Sequence, residues 1–280
     1  MQIEAAYNTL KSHLAKIYSN SEAANIANLV IENVTGYRGS ERLLHRQKNL
    51  AEQQINLIEN YTIKLLKKMP VQYVLHEAWF ADFKFYVDEN VLIPRPETEE
   101  LIAFIREDKN SFKQVIDIGT GSGCIAISLK KYLPQINVDA IDVSAGALHV
   151  AIKNAHDNNV TVNFMQLNFL NYDDHKILKK YDCIVSNPPY IKQSEAAEMN
   201  DNVLQYEPHT ALFVDDNNAL LFYEKIAVFG LTHLIQGGSI FCEINEALGN
   251  ETKDLFELYK YQTEIKKDMQ GKDRIIKAWK

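Results

Sequence analysis

The chain has 280 residues, a formal net charge of −7 from 30 Lys and Arg against 37 Asp and Glu, and 46% apolar side chains. That length leaves room for two domains and a substantial core, while the acidic balance argues against a protein that tracks nucleic acid along a basic groove. No run approaches the roughly eighteen uncharged residues of a membrane span, and Met1 to Ala5 lacks the basic-then-apolar pattern of an export signal, so a cytoplasmic protein off the membrane is expected.

Up to about Lys68, apolar residues recur at helical spacing: Ile3, Ala6, Leu10, Leu14 and Ile17, then Ala27, Val30 and Ile31, then Leu50, Ile55, Leu57, Ile58, Ile63 and Leu65. This predicts a small helical bundle over residues 1–70. Up to Leu75 there are nine Lys and Arg against six Asp and Glu, net +3, which leaves −10 for the rest. Lys64, Lys67 and Lys68 read either as a solvated helix face or as a face for an acidic or ribosomal partner. From Val71 to Val87, alternation with Tyr73, Trp79, Phe80, Phe83, Phe85 and Tyr86 predicts a β-hairpin, so that residues 71–94 link the bundle to a domain over 95–280. Arg95-Pro96-Glu97-Thr98 opens that domain. Pro96 suits the first turn of a helix and the acidic residues suit its positive end, and the same loop equally suits the lining of a substrate entrance.

Phe112 to Ile118 reads as a buried strand, followed by Gly119-Thr120-Gly121-Ser122-Gly123 and a helix from Cys124 to Tyr132. Glycines permit positive φ and close approach of a ligand, and the helix start offers unpaired N–H groups, so a nucleotide-like molecule fits there. The dinucleotide fingerprint G-x-G-x-x-G needs glycine where this chain has Cys124, which counts against an NAD-dependent oxidoreductase. Asp117, at the strand end, suits a ligand ammonium group better than a pyrophosphate. A second strand, Asn137 to Asp142, ends in an acid placed to bind both ribose hydroxyls, with Ser144 as the cap of the following helix.

The run Tyr181 to Ser186 reads as a buried strand, the fourth of the domain, and leads into Asn187-Pro188-Pro189-Tyr190. Two prolines fix this bend and push the residues before them into extended geometry. The Asn187 side-chain oxygen and the Pro188 carbonyl then converge as two acceptors for the two hydrogens of a planar –NH2, against which the Tyr190 ring can pack. An ordinary turn is the other reading of an Asn-Pro pair. Lys192 to Val203 reads as a mobile lid. Beyond it come Tyr206-Glu207-Pro208-His209, a helix from Leu220 to Leu234, a strand from Ser239 to Ile244, and strands near Tyr261–Ile265 and Arg274–Trp279. Strands and helices in alternation specify an α/β domain with a mostly parallel sheet and an antiparallel hairpin at its end. Cys124, Cys183 and Cys242 show no C-x-x-C spacing and the eight histidines form no ligand pattern, so reduced packing cysteines and no metal site are expected.

In order and spacing, Asp117 to Gly123, Asp142 and Asn187 to Tyr190 resemble class I S-adenosylmethionine-dependent methyltransferases that modify a planar nitrogen. Pro70 to Leu75, Val91 to Glu99, Tyr206 to Pro208, Ala211-Leu212 and Gly271 to Ile276 narrow this to a resemblance to the peptide chain release factor glutamine N5-methyltransferases, the PrmC/HemK family, over roughly residues 70–280. The first seventy residues match only in helical character and length. The resemblance implies a Rossmann-like class I methyltransferase sheet behind a small N-terminal helical domain that recognises substrate. It implies methyl transfer from S-adenosylmethionine, released as S-adenosylhomocysteine, to the glutamine of the Gly-Gly-Gln motif in class I release factors, by a monomer that requires no nucleic acid. Asn187, Pro188 and Tyr190 would be catalytic. Asp117, Gly119, Thr120, Gly121, Gly123, Asp142, Asn168, Phe169 and Asn187 would hold the cofactor, and Asn187, Pro188, Pro189, Tyr190, Arg95 and Glu97 the substrate. Two positions depart from the family pattern. Asn168 replaces an Asp beside the adenine pocket, and Gly146 replaces an acid after Asp142, at a cost of up to about 1 kcal/mol within a helix start. Methylation of an exocyclic amine of nucleic acid, of the adenine N6 type, is the alternative, since it would use the same acceptor pair, and a non-catalytic adaptor that kept the pocket is a third reading.

Overall fold

The computed structural model describes residues 1–108 and 111–280, which divide into two units, Met1–Glu77 and Ala78–Lys280. In the first, five helices form: α1 (Ile3–Leu14), α2 (Asn20–Thr35), α3 (Ser40–Leu44), α4 (Glu52–Leu66) and α5 (Val71–Leu75). The Ser19 hydroxyl accepts from Glu22 N–H at 3.2 Å and starts α2, and Gly36 at φ 76° ends it, the usual left-handed stop. Leu10, Leu14, Ala27, Val30, Ile31, Leu65 and Val74 share one buried cluster, so the helical spacing of the sequence is the spacing of the core. Val71–Leu75 is a helix where a hairpin was expected. The Pro70 carbonyl accepts from Tyr73 and Val74 N–H at 3.0 and 3.1 Å, and Val74 is fully buried in the bundle's core. Long-range burial decides there over local alternation, and Val71–Leu75 falls within the first unit.

The second unit begins with a short antiparallel pair, β1 (Ala78–Phe80) and β2 (Phe83–Phe85). Ala81 and Asp82 turn between them at positive φ, as a two-residue hairpin loop requires. There follow α6 (Pro96–Glu107), β3 (Gln114–Ile118), α7 (Cys124–Tyr132), β4 (Asn137–Asp142), α8 (Ala145–Asp157), β5 (Asn163–Gln166), β6 (Tyr181–Ser186), β7 (Ile191–Lys192), α9 (Asp201–Tyr206), α10 (His209–Leu212), β8 (Phe213–Val214), α11 (Leu221–His233), β9 (Leu234–Glu243), α12 (Gly249–Leu258), β10 (Gln262–Lys267) and β11 (Asp273–Trp279). Pro96 is the first residue of α6 and Ser144 caps α8, both as expected.

Seven strands form one sheet in the order β10-β11-β9-β6-β3-β4-β5. The pairs from β9 through β5 are parallel, and β11 runs antiparallel to both β9 and β10. Side chains alternate across the sheet, so Val115, Cys183 and Val185 enter one apolar layer while Ile116, Ile118 and Ile184 enter the other. From β3 the chain proceeds outward through β4 and β5, then returns to place β6 on the other side of β3. That reversal opens a crevice at the carboxyl ends of β3 and β6. Lys192 to Val203, expected to be a lid, is instead tied down: β7 pairs with β8, Ser194 N–H donates to Asp216 Oδ1 at 3.1 Å, and Asn245 donates to the Glu195 carboxylate at 3.3 Å. Among the described residues no helix is long and apolar enough to cross a membrane.

Candidate active site

At the end of β3 the chain turns through Gly119, Gly121 and Gly123 at φ 73°, 53° and 80°, a region closed to most side chains. The Gly119 and Thr120 N–H groups both donate to Ile141 O on β4, at 2.9 and 3.0 Å, which fixes the turn to the sheet. The glycines serve different ends. A Cβ on Gly119 or Gly121 would meet nothing within 4 Å, and both line a cleft of about 570 Å³, so their bare backbone is open to a ligand. A Cβ on Gly123 would lie 2.9 Å from Ile127 and 3.2 Å from Ala151, so Gly123 lets α7 pack on α8.

Two carboxylates frame this turn. Asp142 lines the cleft, with Oδ2 accepting from Gly121 N–H and Oδ1 from Ser144 N–H, each at 2.9 Å. Burial raises its pKa and the backbone N–H groups of Ser144, Gly121 and Val143 oppose the rise, so the carboxylate is held in place with lone pairs to spare. Asp117 is fully buried and is not among the cleft-lining residues. Its Oδ2 accepts from the Thr120 hydroxyl at 2.6 Å, and its Oδ1 completes no hydrogen bond. Burial pushes this carboxyl up to about 7, with the Thr120 hydroxyl and the nearby Ala126 N–H opposing. Asp117 and Thr120, both expected to touch a cofactor, thus face each other beneath the turn and support it.

The second wall comes from the end of β6. The Ser186 hydroxyl donates to Ile118 O at 2.7 Å, which brings Asn187, Pro188 and Pro189 to the same cleft as the glycine turn. Asn187 Nδ2 donates to Thr98 Oγ1 at 3.1 Å. The Thr98 hydroxyl donates to Glu243 Oε2 at 2.6 Å, and the Tyr190 hydroxyl to Glu243 Oε1 at 2.9 Å. Tyr190 therefore points its polar end at the buried carboxylate, and it is not among the lining residues where packing against a substrate amide was expected. Asn245 Nδ2 donates to Tyr190 O at 3.2 Å, closing the bend from behind.

The far end of the cleft is apolar, lined by Ile141, Leu167, Phe169, Leu170 and Leu221. Phe169 packs edge-on against Phe229, and its carbonyl lies 2.8 Å from His175 Nε2, so its ring is fixed. Asn168 also lines this end, with Oδ1 accepting from Leu170 N–H at 3.1 Å. A flat ring fits between such walls, and the volume suits a nucleoside-sized ligand.

The N-terminal segment, residues 5–75, matches the family described as PrmC N-terminal domain, and residues 97–209 match the Methyltransferase small domain. The release factor glutamine methyltransferase of Flavobacterium psychrophilum is 44% identical over 95% of this chain and 94% of its own, and that of Bacteroides thetaiotaomicron is 38% identical over 96% and 97%. The chain belongs to the release factor glutamine methyltransferases. In fold, the chain is similar to a Pyrococcus furiosus methyltransferase, with a TM-score of 0.51 at 18% identity over 82% of this chain and 98% of that one.

Arg95 and Glu97 are not among the residues that line the cleft. Arg95 Nη2 donates to Glu207 Oε1 at 2.6 Å, and Glu207 Oε2 also accepts from Ile93 N–H at 3.2 Å, so the buried Glu207 pins the loop ahead of α6. The departure at Gly146 has a structural counterpart, since a Cβ there would lie 2.5 Å from Asn90 Oδ1. The glycine admits the Glu89–Leu92 loop to the cleft wall beside Asp142. Glu243 and Asn245 were missed in the sequence. The available signal was a carboxylate inside the apolar run Ile240-Phe241-Cys242-Glu243-Ile244, which cannot be buried unpaired without a partner.

Proposed function

We propose that this enzyme transfers a methyl group from S-adenosylmethionine to the side-chain amide nitrogen, N5, of the glutamine in the Gly-Gly-Gln motif of class I release factors. The observation that carries this reading is the shared cleft. The Asn187-Pro188 bend and the Gly119/Gly121 turn line one cavity, so an amide held by the first meets a ligand held by the second. The glycine cradle, open where two Cβ atoms would stand, fits a bulky polar ligand. Asp142 would bind its ribose hydroxyls, and Phe169 and Asn168 its adenine. When bound, S-adenosylmethionine supplies an electrophilic methyl group on a sulfonium and departs as S-adenosylhomocysteine.

The chain's own residues have the harder task, because an amide nitrogen shares its lone pair with the carbonyl and is a poor nucleophile. Asn187 Oδ1 and the Pro188 carbonyl accept one amide hydrogen each, leaving the nitrogen's remaining lobe free. Both contacts strengthen as the nitrogen becomes pyramidal and positive, so they favour the transition state over the bound amide. Holding the amide at a fixed place contributes the entropic share. The proton leaves from between these two acceptors to water once nitrogen has lost its amide resonance, so no strong base is required. Arg95 and Glu97, adjacent to Thr98 in the chain, are proposed rim contacts for the peptide flanking the glutamine, with Arg95 acting from its ion pair with Glu207.

Methylation of an exocyclic nucleic-acid amine is disfavoured by the net charge of −7 and by relatives named for release factors. The test is labelled-methyl transfer to a class I release factor beside DNA and RNA, followed by location of the modified atom. Label on the glutamine N5 is expected, and label on adenine alone would overturn the reading.

A further inference from the structure

Asn187 can act as an acceptor only if its carboxamide presents oxygen to the cleft. Rotation by half a turn would put Nδ2 there, and two –NH2 groups facing each other would repel. The bend alone does not choose between these states, since an Asn side chain fits either way by shape. Something behind Asn187 must choose.

Behind it stand Thr98, 2% exposed, and Glu243, 1% exposed. A threonine hydroxyl owns one proton, and a carboxylate that accepts from two hydroxyls has none to give back; burial raises the pKa of Glu243, and the Thr98 and Tyr190 hydroxyls and the nearby Arg274 charge oppose that rise. Glu243 Oε2 takes the Thr98 proton at 2.6 Å, while its Oε1 takes the Tyr190 proton at 2.9 Å. Thr98 Oγ1 has then only lone pairs left for Asn187, and it accepts from Nδ2 at 3.1 Å. The flipped carboxamide would set Oδ1 against an oxygen with no proton to give. The direction of each hydrogen bond follows from the carboxylate, through Thr98, to the atom that meets substrate.

We propose that Thr98 and Glu243 are positioning residues that set the carboxamide of Asn187 with its oxygen toward the substrate amide. This rests on the catalytic role given to Asn187 above. Neither residue touches substrate, and both act through Asn187. Tyr190 belongs to the same relay as the second donor that keeps Glu243 satisfied without using the Thr98 lone pairs.

Thr98→Val keeps the shape and removes the hydroxyl, whereas Thr98→Ser restores it. With a release factor as substrate, we expect Thr98→Val to lower kcat by about tenfold or more with cofactor affinity within about twofold of the parent, and Thr98→Ser to recover most of that loss. The double variant Thr98→Val/Asn187→Ala should be no slower than Asn187→Ala alone, because a residue that acts only through Asn187 has nothing left to lose. Unchanged kcat in Thr98→Val, or full additivity in the double variant, would overturn the proposal. The unmodified enzyme offers a test that requires no turnover, with Asn187→Ala used only for assignment. The Asn187 side-chain NH2 resonances, assigned by their loss in Asn187→Ala, should form one set with slowed hydrogen exchange. Two sets, or exchange as fast as a free carboxamide, would refute it. Since that measurement uses no substrate, it judges the relay separately from the choice of release factors as substrate.

Discussion

A single carboxyl group shows how much this site asks of its surroundings. Asp117 carries a pKa pushed up to about 7 by burial, so between the unfolded value near 4 and that folded value the native state holds a proton that the unfolded chain releases. Stability on this account is fully present below about pH 4 and is lost as pH rises through 7, a change on the order of 4 kcal/mol. Asp117→Asn should therefore flatten the rise in denaturant sensitivity between pH 5 and pH 8 seen in the parent. Equal slopes for both proteins would show that the carboxyl is not buried as described. Of the residues that matter here, Asn187 and Asp142 were legible because prolines and a strand end dictate their setting locally. Thr98 was visible only as part of a loop that suits either a helix start or the lining of a substrate entrance, and Glu243 not at all, because what pairs them is a hydrogen bond spanning 145 positions of sequence.

At the scale of elements, the glycine turn separates binding from folding. Gly121→Ala places a methyl in open cleft at φ 53°, which costs about 1–2 kcal/mol of stability and should weaken cofactor binding far more than it lowers Tm. Gly123→Ala adds to the strain of φ 80° a methyl 3.2 Å from Ala151 Cβ and 3.4 Å from its Cα, and should lower Tm more, with a loss of about 1–3 kcal/mol. Calorimetric titration and thermal unfolding of the two variants check this ordering, and the reverse order would contradict it. Across the cleft, Glu207→Ala should free the loop held through Ile93 and Arg95, at about 1–3 kcal/mol since Arg95 is partly solvent-exposed, with a raised KM for the release factor. An unchanged KM would remove that loop from substrate binding. The α/β alternation and the antiparallel terminal hairpin were readable from spacing, because each strand is buried by its own pattern. Val71–Leu75 was misread, since its aromatic alternation suits a strand and only the bundle core around Val74 makes it a helix.

For the molecule as a whole, every cleft-lining residue lies between Glu89 and Phe222, in the second unit. A chain beginning at Ala78 should therefore keep cofactor affinity within about threefold, while its kcat/KM for a release factor falls, if the basic helical unit recognises substrate. Equal kcat/KM for both chains would deny the first unit that role. The central claim is narrower: Asn187 holds the amide that is methylated. Single-turnover methyl transfer to a release factor by Asn187→Ala, with cofactor affinity measured on the same preparation, tests it most directly. The expected result is a fall in rate of about a hundredfold or more with cofactor affinity nearly unchanged. A rate close to that of the parent would place the methyl-accepting amide elsewhere.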